Sequence, residues 1–533
     1  MGHGLCGPVS VCRGKGVNTG GAQLARNSLW NLAGLAGSLA VNFVSVPILV
    51  HRLGNDQFGL LGLVLSMVSP LGLLDFGMSD ATVKYVAESI GRNDLKEVER
   101  YFRSTLMFNI VVGILGAAAI MALARWLVQD AFHIGSDHQN VAMLALGWVA
   151  AMWCFTQVRQ TFISLFTAHQ RYDVLNIATT STQIVTVLSG LTALWLGGGL
   201  LDVVMAQCFA VAASTVFWIF MARRFFPFIW IAPSIDRRTF RSTMGFGIWQ
   251  MLNNLGGIVS QQSQRWLLGS MLPVASVGYY NIALQLSMVP YLPAGKIGQV
   301  LFPQVSHLQG QNREHEAGVL MVNATWMLTI LSLGLFIPLA VFAPQILSLW
   351  IGPEVSSQTS TLLRILCLGN LMGCLFQIPN YFLLGTGRAH WLAAMSFFQG
   401  LLTLLGCVVL IPRIGIQGAG WGLVLGTLVH FVILSLLWIR IMRTWLPSSN
   451  YFAGVFGPYV AGVALAIIGS AMISESLVPT SWIWVISAGS AIGLLSFGLL
   501  ALTDRILPGG SDRRAFLMSA IGKVLRTASA ERA

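Results

Sequence analysis

Four basic side chains lie inside apolar stretches that are long enough to cross a membrane. They are Arg159, Arg265, Lys296 and Arg364. A charge that faces lipid costs at least about 2.5 kcal/mol, so such a residue is expected to face a cavity. Arginine holds phosphate oxygens with a planar fork of donors, and lysine acts as a point charge. These four residues are therefore the candidates for an anion-binding cavity. For the three arginines the alternative is a side chain that extends to the membrane surface.

A run of amides precedes Arg265. Gln250, Asn254 and Gln261 recur at spacings of four and seven, which places them on one face of a helix. Amides on such a face can hydrogen-bond a polar ligand in a hydrated cavity. The alternative is hydrogen bonding between helices.

A third group of charges lies in the stretch GLLDFGMSDATVKYVAESIGRND. Asp80, Lys84 and Glu88 are four residues apart and can pair along a helix, and Lys84 is also a candidate to contact substrate at the inner mouth. Asp75 lies sixteen residues before Gly91, roughly 24 Å along the helix, and is the candidate for coupling or gating.

The elements that position these residues are membrane-spanning helices. The chain has 533 residues, of which 55% are hydrophobic and only 9% charged, which excludes an ordinary soluble protein. At about 20 residues for each crossing, we predict an all-α polytopic protein with about fourteen spans. They cover 27–50, 57–83, 104–128, 141–166, 174–197, 203–225, 243–270, 275–305, 318–343, 358–384, 391–411, 416–439, 452–473 and 481–502.

Basic residues are concentrated in every second loop along the chain. Most of the 31 lysines and arginines fall in alternate loops and in the two tails, so a net charge of +12 reflects topology and contact with anionic headgroups, not a nucleic-acid site. Both termini are predicted to be cytoplasmic. The first 26 residues lack the apolar core of a signal peptide, and the seven cysteines show no metal-ligand spacing.

The two halves of the chain share an internal repeat. Gly59 and Gly278 are 219 positions apart, and both are followed by the tetrapeptide LSMV, from residues 65 and 286. Pro70 and Pro290, just beyond it, predict a kink at one level in both halves. Two repeats of six spans have the same orientation, which predicts two lobes around a cavity. The same offset carries Lys296 to position 77, so we expect Asp75 and Lys296 to face each other and to change their pairing as the lobes move. The predicted units are a tail at 1–26, an N-lobe at 27–225, a linker at 226–240, a C-lobe at 241–445, two further spans at 446–503 and a basic tail at 504–533.

The segments LGNDQFGLLGL, LLDFGMSDATVKYVAE, TAHQRYDVLN and LLGTGRAHW resemble the polysaccharide transporters of the multidrug/oligosaccharidyl-lipid/polysaccharide exporter superfamily. This resemblance covers about residues 24–445. It implies a flippase that carries undecaprenyl-pyrophosphate-linked oligosaccharide across a bacterial plasma (inner) membrane, through a cation-lined cavity with alternating access. In such a pathway a polysaccharide polymerase and a chain-length regulator would be partners, and no cofactor or metal is needed. Where relatives commonly carry an acidic residue, this chain has Gln264 and Arg265.

Several other functions compete with this interpretation. A cation-coupled exporter of the multidrug and toxin extrusion type shares the two-lobe layout, but organic cations favour acidic cavity residues. A lipid II flippase is a further alternative. A membrane glycosyltransferase, polymerase or ligase would need a long outer loop, and an ATP-driven exporter would need a phosphate-binding loop; the sequence has neither.

Overall fold

The computed structural model describes residues 21–92, 94–169, 171–234, 236–292, 294–295, 313–385, 389–442 and 481–503. Fourteen α-helices and no β-strand are found in these ranges. The first half contains α1 (Gly21–Val68), α2 (Met78–Gly91), α3 (Leu95–Trp126), α4 (Ser136–Ala168), α5 (Tyr172–Trp195) and α6 (Leu200–Phe225). The second half contains α7 (Arg237–Met271), α8 (Ala275–Met288), α9 (Glu314–Val341), α10 (Ala343–Trp350), α11 (Pro353–Gly385), α12 (Ala389–Ile414), α13 (Ile416–Met442) and α14 (Trp482–Thr503).

Nine helical segments within these ranges are long and apolar enough to cross a membrane. The predicted all-α membrane architecture is therefore confirmed. The predicted span 452–473, the second part of the span 275–305 and the C-terminal tail 504–533 lie outside the described residues, as does the chain before residue 21.

The second predicted span is not a continuous helix. Helix α1 covers the first predicted span and the first part of the second. It is interrupted at Gly54, whose φ of 77° and ψ of 166° form a conformation that glycine adopts without strain. After Val68 the chain forms a 3₁₀ helix, Ser69–Asp75, which has Pro70 in its first turn. Phe76 and Gly77 then take left-handed conformations, with φ of 47° and 65°, before α2 begins. The break is thus larger than the proline kink expected from the sequence.

The second half breaks at the corresponding place. Helix α8 ends at Met288, and Val289 and Pro290 form a turn. Pro70 and Pro290 therefore mark the end of regular helix in both repeats, as their positions predict.

The two halves meet through residues that the repeat makes equivalent. A Cβ atom on Gly59 would lie 2.3 Å from the carbonyl oxygen of Val274, and a Cβ on Gly278 would lie 2.9 Å from that of Asn55. Gly59 corresponds to Gly278, and Asn55 corresponds to Val274, at the same offset of 219. Each repeat thus offers a glycine to the carbonyl of the other, which is the reciprocal contact that a two-fold axis produces. This contact supports the two-lobe arrangement independently of the sequence match.

The predicted linker, 226–240, packs against the first half in its described part. Phe226 and Ile229 are buried there. The Nε atom of Arg103, in α3, donates to the carbonyl of Ala232 over 2.8 Å, and the amide of Ser234 donates back to the carbonyl of Arg103 over 3.3 Å. This segment is therefore a fixed part of the end of the first half.

Candidate functional site

The larger cavity lies between the two halves. Its volume is about 590 Å³, within the usual range for ligand sites. Helix α1 supplies one wall, α7 and α8 supply the other, and Trp350 of α10 lies at one end. Most of the wall is apolar. Its polar side chains are Asn42, Ser45, Ser66, Gln207, Gln262, Arg265, Asn281 and Gln285.

Arg265 is the charged residue of this cavity. Its Nε atom donates to Oδ1 of Asn281 over 2.7 Å, and Nη1 donates to Oε1 of Gln262 over 2.7 Å. Both partners are uncharged amides, so they orient the guanidinium without neutralising it. The neighbouring Trp266 donates from Nε1 to the carbonyl of Ser66 over 3.1 Å, which fixes this part of α7 against α1. The cavity thus holds an oriented positive charge.

A second cavity, of about 380 Å³, lies within the first half between α4, α5 and α6. Arg159 lines it and donates from Nη1 to Oγ of Ser214 over 3.1 Å. Ser214 is again uncharged. No carboxylate or lysine is among the described residues that line either cavity.

The ion pairs seen among the described residues lie at the ends of helices, away from both cavities. They are Arg92 with Glu88, Arg103 with Glu99, and Arg313 with Glu316. Neither cavity arginine takes part in one. Both guanidinium groups therefore keep donors and charge for a ligand.

The two cavities adjoin. Leu65, Val187 and Gln207 line both of them. Arg159 lies nine residues before the end of α4, roughly 14 Å, and Arg265 lies six residues before the end of α7, roughly 9 Å. Helices α4 and α7 form the fourth and the seventh predicted span. Successive spans alternate in direction, so the C-terminal ends of these two helices are expected to face opposite membrane surfaces. Arg159 and Arg265 therefore lie at different points of the adjoining cavities.

The second cavity has a wall of threonines. Thr156, Thr179, Thr182 and Thr186 line it, and each Oγ1 lies 2.8 to 2.9 Å from a backbone carbonyl four residues earlier. These hydroxyls donate to the helix backbone, so what they offer the cavity is oxygen lone pairs. Sequence reasoning missed them because a threonine in an apolar helix satisfies its own polar group and gives no signal in the pattern.

Arg364 has a different environment. Its Nε atom donates to the carbonyl of Ala340, in the last turn of α9, over 3.2 Å. Carbonyls at a helix end have no partner within the helix, and a cation there also complements the helix dipole. Arg364 lines neither described cavity. Its position in the structure is that of a helix-end partner.

The predicted amide face is only partly described. The backbone of Gln250 lies in α7, but its side chain is outside the description. Asn254 is half-buried and Gln261 is exposed, and neither lines a described cavity. The amide of α7 that does so is Gln262. One residue rotates the side chain by about 100° around a helix, which separates the exposed amide from the lining one.

Asp75 lies at the break before α2. Its Oδ1 accepts from Oγ of Ser79 over 3.0 Å, and Oδ2 lies 3.4 Å from the backbone nitrogen of Ser79. A carboxylate in this place caps the first turn of α2 and complements the helix dipole. Lys296 lies outside the described residues, so the expected pairing of these two residues stays a prediction. Asp75 lines neither cavity.

Lys84 lies in α2, with its side chain outside the description. Glu88, expected to pair with it, accepts from Nη2 of Arg92 over 2.5 Å. This pair is exposed at the end of α2, where such pairs contribute little to stability.

Comparison with known proteins assigns the chain to a family. Residues 24–309, more than half of the chain, match the family described as "Polysaccharide biosynthesis protein", and residues 251–409 match the family described as "MatE". A protein of Shigella flexneri assigned as an O-antigen transporter is 19% identical over 79% of this chain and 99% of its own length. The succinoglycan biosynthesis transport protein ExoT of Rhizobium meliloti is 23% identical over 91% of this chain and 94% of its own.

Solved structures share the fold. The lipid II flippase MurJ in an inward closed conformation gives a TM-score of 0.71 at 10% identity, over 90% of this chain and 98% of its own. An inward-facing multidrug resistance MATE family transporter of the MOP superfamily gives 0.66 at 14%, over 78% and 98%. A MOP superfamily transporter from Pyrococcus furiosus, described as having a binding pocket of reverse polarity that suggests a different function, gives 0.61 at 15%, over 80% and 98%. These relatives and neighbours are transporters or flippases and not enzymes, which confirms the class expected from the sequence. The chain belongs to the polysaccharide biosynthesis protein family.

Proposed function

We propose that the protein is a flippase that moves undecaprenyl-pyrophosphate-linked oligosaccharide repeat units across the bacterial plasma membrane by alternating access. It would serve the biosynthesis of an exopolysaccharide, a capsule or an O-antigen. The observation that carries the proposal is the charge of the adjoining cavities: Arg159 and Arg265 line them, both have uncharged partners, and no described lining residue is acidic.

The chemistry of the cargo fits this arrangement. A lipid-linked sugar pyrophosphate combines an apolar chain, an anionic linkage and a polar glycan. The larger cavity combines apolar walls with an oriented arginine, which can hold phosphate oxygens through several N–H donors. Its position between the two halves suits a site that is exposed to each membrane surface in turn.

Export of organic cations is the less favourable function. A cationic drug would meet two arginines in these cavities and no described carboxylate to neutralise it. The Pyrococcus transporter described as having reverse polarity shows that one fold is compatible with different pocket charges. The lipid II flippase shares the fold at 10% identity, and that likeness does not choose the cargo.

The remaining features of the proposal follow from topology. Both termini would lie in the cytoplasm, because the basic loops and tails share one side. Asp75 would act in coupling or gating, since it lies at the break where the second span changes from 3₁₀ to α-helix. A polysaccharide polymerase and a chain-length regulator would act on the delivered repeat units.

Depletion of the protein tests the proposal in cells. Lipid-linked repeat units should accumulate on the inner leaflet, where a membrane-impermeant glycosidase added to intact spheroplasts cannot reach them. Normal delivery to the outer leaflet would refute the flippase assignment. Transport of lipid II, measured in the same cells, tests the alternative that the protein is a lipid II flippase. Under the proposed function this transport should continue after depletion.

Binding tests the cavity directly. Purified full-length protein in lipid nanodiscs should bind undecaprenyl pyrophosphate, and Arg265→Gln should weaken this binding at least about tenfold, since a hydrogen bond to a charged group contributes about 1.5–3 kcal/mol. Arg364→Gln is the matched control, because it removes an arginine of another apolar helix that lines neither cavity. Equal losses in the two variants would contradict the proposed site.

A further inference from the structure

The two cavities differ in what they offer a ligand. Eight of the 22 residues that line the larger cavity have polar side chains, and the apolar ones include Phe43, Val46, Leu49 and Met288. Seven of the 13 that line the second cavity are polar. If the cargo proposed above occupies the joined space, its end nearest the lipid fits the larger cavity and its glycan fits the second.

The threonine wall selects hydrogen-bond donors. The four hydroxyls already donate to backbone carbonyls, so the cavity sees acceptor oxygens. Sugar hydroxyls can donate to such oxygens. A pyrophosphate carries only acceptors at neutral pH, so this wall would repel it. The threonine wall is therefore better suited to a sugar than to the pyrophosphate.

The cavity also contains side chains with N–H donors. Arg159 uses one N–H on Ser214, and a guanidinium has five. The side-chain amides of Gln183 and Gln207 also line this cavity and carry N–H donors. A wall of acceptors around one arginine fork and two amides matches a ligand that has several hydroxyls and one carboxylate.

Charge leads to the same ligand. The pyrophosphate pairs with Arg265 in the larger cavity, which leaves Arg159 without an anionic partner in the part of the site that the structure describes. A neutral glycan would leave that half-buried charge unpaired, which is unfavourable. We propose, on the basis of the function proposed above, that the cargo is an acidic glycan whose sugar carboxylate binds Arg159 in the threonine-lined cavity. A uronic acid or a sugar that carries a pyruvate group has this chemistry.

Two matched disaccharides test the proposal. Glucuronosyl-glucose and cellobiose differ in one carboxylate, and their binding to the full-length protein in lipid nanodiscs can be measured by calorimetry. The wild-type protein should bind the acidic disaccharide at least about tenfold more tightly, the factor expected for one charge-assisted hydrogen bond. Arg159→Gln should abolish this ratio, and Arg159→Lys should restore part of it.

Further variants separate this proposal from the proposed function. Thr182→Val removes one acceptor and should weaken both disaccharides while it leaves their ratio unchanged. Undecaprenyl pyrophosphate reports on Arg265, so its binding should be weakened by Arg265→Gln far more than by Arg159→Gln. If the wild-type protein does not bind undecaprenyl pyrophosphate, the flippase site proposed above is refuted.

Two results would overturn the acidic-glycan proposal alone. One is equal binding of the two disaccharides by the wild-type protein. The other is an equal loss of undecaprenyl pyrophosphate binding in Arg159→Gln and Arg265→Gln, which would assign both arginines to the pyrophosphate.

Discussion

Substitution of Gly59 by alanine tests the reciprocal contact between the two halves. The added methyl carbon would lie 2.3 Å from the carbonyl oxygen of Val274. A distance of 3.0–3.4 Å is already shorter than nine in ten of the contacts that Cβ atoms make in proteins. The two backbones must therefore separate by about 1 Å, because the carbonyl of Val274, which precedes α8 and accepts from the amide of Val277, cannot rotate away as a side chain can. Overpacking of this kind costs about 1–3 kcal/mol.

The magnitude needs a control, since alanine also favours helix over glycine by about 1 kcal/mol. Gly257 is a glycine of α7 with nothing within 4 Å of the position that its Cβ would take. Gly257→Ala therefore gains the helix propensity without the clash. Compared with this control, Gly59→Ala should be less stable by about 1–3 kcal/mol. Gly278→Ala, whose Cβ would lie 2.9 Å from the carbonyl of Asn55, should lose less than Gly59→Ala.

Thermal unfolding of the purified protein in one detergent, followed by tryptophan fluorescence, gives the order of the variants. The double variant of Gly59 and Gly278 should cost less than the sum of the single costs, because one separation of the backbones relieves both clashes. Equal unfolding temperatures of Gly59→Ala and Gly257→Ala would contradict the reciprocal contact. Additive losses of stability in Gly59→Ala and Gly278→Ala would contradict it as well.

Three further predictions concern other parts of the molecule. Asn281→Leu removes the acceptor that orients Arg265, so undecaprenyl pyrophosphate binding in nanodiscs should weaken by up to about tenfold while protein abundance is retained; unchanged binding would mean that Gln262 orients Arg265 alone. Asp75→Asn keeps an acceptor for Ser79 and should cost less stability than Asp75→Ala, for which about 0.5–2 kcal/mol is expected, as measured by thermal unfolding; equal costs would contradict the capping role. Burial lowers the pKa of His169, at the end of α4, below its ordinary value of 6.5. The folded state therefore favours the uncharged ring, so stability is full above pH 6.5 and falls as the pH drops below it, and His169→Gln should flatten this slope in unfolding measurements from pH 5 to 8; an unchanged slope would assign it to other groups.

The sequence predicts the architecture well because hydropathy and duplication are properties of whole segments. Errors of a few residues leave a span recognisable, and the 219-residue offset of Gly59 and Gly278 identifies a contact that the structure contains. The 3₁₀ helix Ser69–Asp75 could not be predicted in this way, because Pro70 indicates a kink but gives no sign of the two left-handed residues, Phe76 and Gly77, that follow the 3₁₀ helix.

The site is harder to predict because it depends on the direction of single side chains. Arg159 and Arg364 look alike in sequence, as arginines in apolar spans. One lines a cavity, and the other donates to a helix-end carbonyl. Both arrangements relieve a buried charge, so composition cannot separate them. Gln261 and Gln262 differ by one step around α7, which is finer than the hydropathy pattern can resolve.

The contact between the halves also shows where the duplicated chain ceased to be symmetric. Gly62 and Asn281 are equivalent by the same offset of 219, and the Nδ2 atom of Asn281 lies 2.0 Å from the position that a Cβ of Gly62 would take. In a dimer of identical half-length chains, one residue would have to serve both sides of the axis, and two asparagines could not share this space. A single fused chain can have an asparagine, Asn281, on one side of the axis and a glycine, Gly62, on the other, so that the asparagine amide fills the space that the glycine leaves. The amide that orients Arg265 is therefore a feature that only a fused pair of repeats can have.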